Sequence, residues 1–132
     1  MIDNHHADVG YRNGFRTALA IVDDGHLTEA QVPLFARIVR TATQQQDVID
    51  AMVVTALPET WPMDRLDPVL RALLRAGGAE LWMADGPPAK VVINEYLDVA
   101  HGFFDPEAAR LANGVLDRLA HLLRPAEFAP AA

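Results

Sequence analysis

The 132-residue chain contains no cysteine and no serine. The first absence excludes disulfides, thiolate zinc sites and a cysteine nucleophile, and it fits a reducing compartment. The second leaves a conventional catalytic triad with only threonine as its nucleophile. Positive charge is also scarce, at 11 Lys and Arg against 18 Asp and Glu, and the net charge of −7 opposes non-specific attraction to a phosphate backbone. Any nucleic-acid contact has to be local. Lysine is rarer still: Lys90 stands alone beside ten arginines, the side chain better suited to bidentate phosphate contacts and base stacking. Although 51% of residues are hydrophobic, no run approaches the roughly 18 apolar residues of a membrane span, and no basic, apolar and small-residue succession of the kind that marks a signal peptide is seen. We therefore expect a cytoplasmic protein with no membrane association. No alternating strand pattern, internal repeat or glycine-rich phosphate loop is present.

What is present is helical periodicity. Residues 1–8 are polar and aperiodic and read as a loose end. Tyr11, Phe15, Leu19 and Val22 recur at helical spacing up to the Asp23-Asp24-Gly25 stop. Thr28, with Gln31 three residues on, has the form of a capping box. Beyond it, Leu34, Phe35, Ile38, Val39, Ala42, Val48, Ile49, Met52, Val53 and Leu57 predict one long helix over about 30–56. Pro58 and Pro62 bracket a turn holding Trp61. Asp67-Pro68 then pairs an N-cap with a first-turn proline and opens a helix with a buried face from Leu66 to Trp82. A further helix runs from Ala89 to Phe104 on Val92, Ile93, Tyr96, Val99 and Phe103. Asp105-Pro106 starts the last, with Leu111, Val115, Leu116, Leu119, Leu122 and Leu123 inward. The Ala/Pro tail, residues 126–132, reads as disordered. The sum is one all-α domain over residues 1–132, a compact helical bundle.

Two segments are more specific than this order. Residues 88–100, PAKVVINEYLDVA, followed by 112–118, ANGVLDR, resemble the paired signature of the NusB family of transcription antitermination factors. Residues 66–77, LDPVLRALLRAG, with Glu80-Leu81 after them, match at the expected distance upstream, and residues 35–40, FARIVR, resemble the start of the family's long central helix. The resemblance covers residues 35–125 in order. It implies two packed helical sub-bundles, neither enzyme activity nor a cofactor, and binding of the single-stranded boxA element of nascent ribosomal RNA together with the ribosomal protein NusE. That assembly holds RNA polymerase in a termination-resistant state.

The N-terminal third departs from the family. Members open with an arginine-rich helix and a second helix, whereas about 27 residues precede the central helix here, so the first sub-bundle is expected to be incomplete. Arg12 and Arg16, on one helical face, are either a remnant of the basic helix or part of a segment replacing the second one. Ala79 stands where the family usually has tyrosine, and Gly77-Gly78 inside a helix calls for close packing, since each glycine costs roughly 1 kcal/mol relative to alanine. A bundle short of one helix should expose an apolar groove, which implies a homodimer or an obligate complex.

Candidate RNA-binding residues are Arg12, Arg16, Lys90, Arg110 and Asn113. Lys90 and Arg110 lie near the starts of the signature helices, where free N–H groups beside a cation suit a phosphate. The alternative makes both solvated charges, with Asn113 bonding to backbone and Gly114 admitting a neighbouring helix. Asn94 and Glu95 read as cross-bundle hydrogen-bonding residues. Of the aromatics that could stack on bases, Trp82 and Tyr96 read as core and Trp61 as a packing residue. His5 and His6 with Asp3 and Asp8 lack the preorganisation a metal site needs. His101 after Asp98, and His121 after Asp117, have spacings that permit a carboxylate-oriented imidazole.

Overall fold

The computed structural model describes residues 31–130, with side chains from residue 34. Among them the chain is all helical: α1 (Gln31–Gln44), α2 (Gln46–Ala56), α3 (Pro68–Trp82), α4 (Ala89–Phe103) and α5 (Pro106–Leu123). Single 3-10 turns occupy Met63–Arg65 and Pro125–Phe128. The expected helix over residues 9–22, the loose residues 1–8, and with them the incomplete part of the first sub-bundle, lie outside the described residues.

Local chemistry sets the helix starts as the sequence predicts. Asp67 accepts a hydrogen bond from the Val69 N–H at 2.8 Å with Pro68 at the first position, and Asp105 accepts from the Ala108 N–H at 2.8 Å with Pro106 in the same role. The single helix expected over 30–56 is instead two. Gln45 leaves helical geometry (φ −110°, ψ 22°), although its N–H still donates to Thr41 O and its carbonyl still accepts from Ile49 N–H, both at 2.9 Å. The chain bends there without losing its backbone ladder. Just before the bend the Thr43 hydroxyl donates back to Val39 O at 2.8 Å, an interaction that bends helices. Residues on both sides of it, Ile38 and Ala42 before, Ile49, Val53 and Ala56 after, enter one core.

The core is built around α3, which packs against all four other helices and is buried almost continuously from Leu70 to Leu81. Gly77 and Gly78 make that position tenable. A Cβ on Gly77 would fall 2.7 Å from Leu116 Cδ2, and one on Gly78 3.0 Å from Ile49 Cγ2. The two glycines thus let α5 and α2 close on α3, the tight packing expected of them. Ala79, where the resemblance implies tyrosine, is fully buried. Gly114 has no such role, since its Cβ would meet only the Arg118 side chain at 3.5 Å. Arg75 grips Asp50 with two hydrogen bonds, 2.6 and 2.9 Å, and so ties α3 to α2.

Four residues assigned to the apolar stripes lie on the surface instead: Val48, Trp82, Phe103 and Leu122, with Leu122 63% exposed. Trp82, Phe103 and Leu122 sit in the last turn of their helix, where the periodic stripe continues but the neighbouring helices no longer cover it, and Val48 lies in the first turn of α2. Trp61 does pack on the core, and Tyr96 is buried. Asn94 and Glu95 are exposed, and the cross-bundle hydrogen bond falls instead to Tyr96, whose hydroxyl donates to Glu80 Oε1 at 3.0 Å. Residues 126–128, expected to be disordered, complete a 3-10 turn that packs Phe128 against the core.

Candidate RNA and partner surface

The signature segments form α4 and α5, an antiparallel pair joined by the two-residue corner Phe104-Asp105. Lys90, Arg110 and Asn113 are all exposed on them. Arg110 and Asn113, three residues apart, share one face of α5. Lys90 is not with them. Because the helices run in opposite directions, the start of α4 lies beside the end of α5, against Arg124 and Glu127. At 1.5 Å per residue, the 14 steps from Arg110 to Arg124 span about 21 Å. The trio therefore marks two ends of one helical pair. Arg12 and Arg16 lie outside the described residues.

Lys90 borders a cleft of about 540 Å³ shared with Ala84, Gly86, Pro88, Arg124 and Phe128. Arg124 organises that end of the molecule. Its guanidinium donates to the carbonyls of Leu81 (2.9 Å), Glu80 (3.2 Å), Met83 (2.8 Å) and Pro87 (3.0 Å), thereby supplying donors to the C-terminal end of α3. Glu127 completes the staple from the other side. Its Oε1 accepts from the Ala89 N–H at 2.8 Å, while Oε2 pairs with Arg124 at 2.8 Å. Those two contacts, the backbone N–H first, hold the Glu127 carboxyl below the usual carboxylate range. One Arg-Glu pair thus closes the end of α3 and the start of α4 together. Sequence reasoning missed this role, because periodicity places Arg124 merely after the last helix.

The same staple bears on the expected phosphate seats. The N–H at the start of α4 already faces Glu127, and the start of α5 is capped by Asp105. Neither helix start offers the bare N–H pair that an anion takes.

The remaining site chemistry is sparse. Glu80, 2% exposed, has Oε1 on Tyr96 and, among the described residues, no hydrogen-bond partner for Oε2; burial pushes its carboxyl up. Asp85, in the turn after α3, is held low by a 2.6 Å hydrogen bond from Arg37 of α1. His121 Nδ1 donates to the Asp117 carbonyl at 2.9 Å, lies 3.7 Å from the Asp117 carboxylate, and its ring stacks on Phe128 at 3.8 Å. His101 is exposed on α4. Among the described residues no three His, Asp or Glu side chains gather as a metal site would require, and no helix is long and apolar enough to cross a membrane.

Comparison with known proteins agrees with this architecture. The NusB family profile matches residues 5–121. The chain is 65% identical over 107 residues to the transcription antitermination protein NusB of Granulibacter bethesdensis, a match spanning 81% of this chain and 66% of that protein. It is 50% identical over 103 residues to the NusB of Gluconobacter oxydans, spanning 78% and 63% respectively. Its fold matches a solved structure of T. maritima NusB with a TM-score of 0.71 at 20% identity, over 93% of this chain and 94% of that one. The chain thus spans slightly under two thirds of the length of these curated relatives, and with its family profile matched over most of its residues it belongs to the NusB family.

Proposed function

We propose that this protein acts in transcription antitermination on ribosomal-RNA operons, as a binding factor and not an enzyme. In this reading it works in the cytoplasm, binds a boxA-like single-stranded leader RNA together with the ribosomal protein NusE, and meets RNA polymerase through that assembly. The observation that carries the reading is the match of residues 5–121 to the NusB family, with a relative 65% identical that bears the antitermination name. Exposure of Lys90, Arg110 and Asn113 on the signature helices supports it, since an extended single strand can run along a helical pair and meet cations at both ends.

A second reading has its own observation. The carboxylates of Glu127 and Asp105 occupy the two helix starts, and the chain is acidic overall. Both features suit a module that binds NusE without RNA.

Titration of fluorescent boxA-like RNA, with and without NusE and at two salt concentrations, separates them. The first reading predicts salt-sensitive binding strengthened by NusE, with Lys90→Ala and Arg110→Ala each lowering the salt slope by about one. Weakening by Arg12 and Arg16 substitutions would add a basic N-terminal contribution. NusE binding with no RNA binding at either salt concentration selects the second reading.

A further inference from the structure

We propose that the cleft between the α3–α4 turn and the residues after α5 holds one nucleotide of the bound strand, its base against Phe128 and its phosphate on Lys90, an inference that rests on the RNA-binding reading above. The cleft, about 540 Å³, is lined by Ala84, Gly86 and Pro88 of the turn, by Arg124, Glu127 and Phe128 beyond α5, and by Lys90 in the first turn of α4. That volume falls within the roughly 300 to 1,000 Å³ of small-ligand pockets. A strand that meets Arg110 and Asn113 reaches this cleft about 21 Å further along the helical pair.

The charges around the cleft leave one over. Arg124 and Glu127 neutralise each other at 2.8 Å, with the rest of the guanidinium on backbone carbonyls and the other carboxylate oxygen on the Ala89 N–H. Asp85 stands between two lining residues but is paired with Arg37 of α1 at 2.6 Å. Among the described residues no acid pairs with Lys90. The cleft thus keeps the positive charge of Lys90 in a chain whose net charge is −7. Because Glu127 already holds the first N–H of α4, an anion arriving here meets the ammonium, which binds phosphate as a point charge.

The rest of the lining suits a planar body. Pro87 and Pro88 have no N–H, and the Gly86 N–H donates to the Met83 carbonyl at 3.3 Å, so the turn brings apolar surface and few free donors. Phe128, half-buried in its 3-10 turn, is held by the core and by the stacking of its ring on His121 at 3.8 Å. A fixed aromatic ring beside a cation meets the two parts of a nucleotide, base and phosphate, and it does so whatever the base.

The test is a titration of the whole chain with boxA-like RNA strands shortened one nucleotide at a time from each end. Removing one particular terminal nucleotide should weaken binding about fivefold to a hundredfold, the range for loss of one base–aromatic stack. An abasic residue at that position should weaken it similarly. In Phe128→Leu, which keeps an apolar side chain on the core, that step should vanish, and Phe128→Tyr should restore it. Lys90→Ala should weaken the full strand and lower its salt dependence. RNA binding by the parent with no such step overturns the proposal and leaves the RNA-binding reading standing. So does a Phe128→Leu variant that loses the full and the shortened strand equally, because the ring would then act only through the fold. Binding of adenosine monophosphate that needs Phe128, without any dependence of strand binding on that ring, would assign the cleft to a free nucleotide and also overturns it. No RNA binding by the parent, with or without NusE, overturns both.

Discussion

Two sides of the C-terminal half of α5 border very different surroundings. Beyond its C-terminus, Arg124 and Glu127 supply partners to carbonyls at the end of α3 and to the N–H that opens α4, so backbone groups left over by two helices are met by one ion pair. Along its α2 flank the same helix presents Leu122 and Arg118 to an open apolar cleft. The α3–α4–α5 unit is closed by its own side chains, whereas the α2 edge leaves apolar surface unspent.

The sharpest way to break that comparison is to make one truncation in both surroundings. Leu116→Ala, at a fully buried site against Gly77, should lower stability by about 3 kcal/mol, whereas Leu122→Ala should change the monomer by less than about 0.5 kcal/mol. Urea denaturation of both variants at low protein concentration measures this; equal effects would mean that the cleft is not open. Next in size is Arg124→Ala, which leaves carbonyls of Glu80, Leu81, Met83 and Pro87 without their donor and should cost about 2 kcal/mol. Arg124→Lys should recover little, because a single ammonium cannot fan across four acceptors. Thermal melts of the two variants decide it.

A smaller effect follows from titration. Glu80 holds its proton more tightly folded than unfolded, so its contribution to stability falls as pH rises from the ordinary glutamate range through its raised value. Glu127 and Asp85, both held low, act in the opposite sense: their contribution is present above the ordinary carboxylate range and is lost as pH falls through their lowered values. Glu80→Gln keeps an acceptor for Tyr96 and cannot ionise. Its melting temperature should exceed the parent's near neutral pH, with the gap closing towards about pH 4, where the parent carboxyl is protonated. The smallest effect distinguishes the paired glycines. Gly77→Ala should destabilise, because its Cβ would meet Leu116 at 2.7 Å in a closed core, while Gly78→Ala, at 3.0 Å from Ile49, should be closer to neutral once helix propensity is added.

Much of this was legible in the sequence wherever the determining interaction is local. Asp67-Pro68 and Asp105-Pro106 announce two helix starts, and the structure places both caps as expected. Gly77-Gly78 in an apolar helix signalled a close approach, and the paired signature segments identified the family. Features set by distant residues were not legible. Gln45 interrupts a stripe whose periodicity runs straight through it. Trp82 and Leu122 continue apolar stripes past the point where neighbours cover them. Arg124 follows the last α-helix, and nothing in its own neighbourhood reveals four carbonyl partners about 40 residues earlier in the chain. The candidate site shows the same division: the exposure of Lys90, Arg110 and Asn113 matches a surface role, but their separation to two ends of the helical pair follows only from the antiparallel packing of α4 and α5.

Antitermination itself is tested most directly by transcription. In a reconstituted reaction with RNA polymerase, NusE and the other elongation factors but no other NusB-family protein, a boxA-bearing template placed ahead of a terminator reports read-through. The account predicts that adding this chain raises read-through on the boxA template and not on one with boxA scrambled. Unchanged termination on both templates, with NusE shown to be bound, would contradict it.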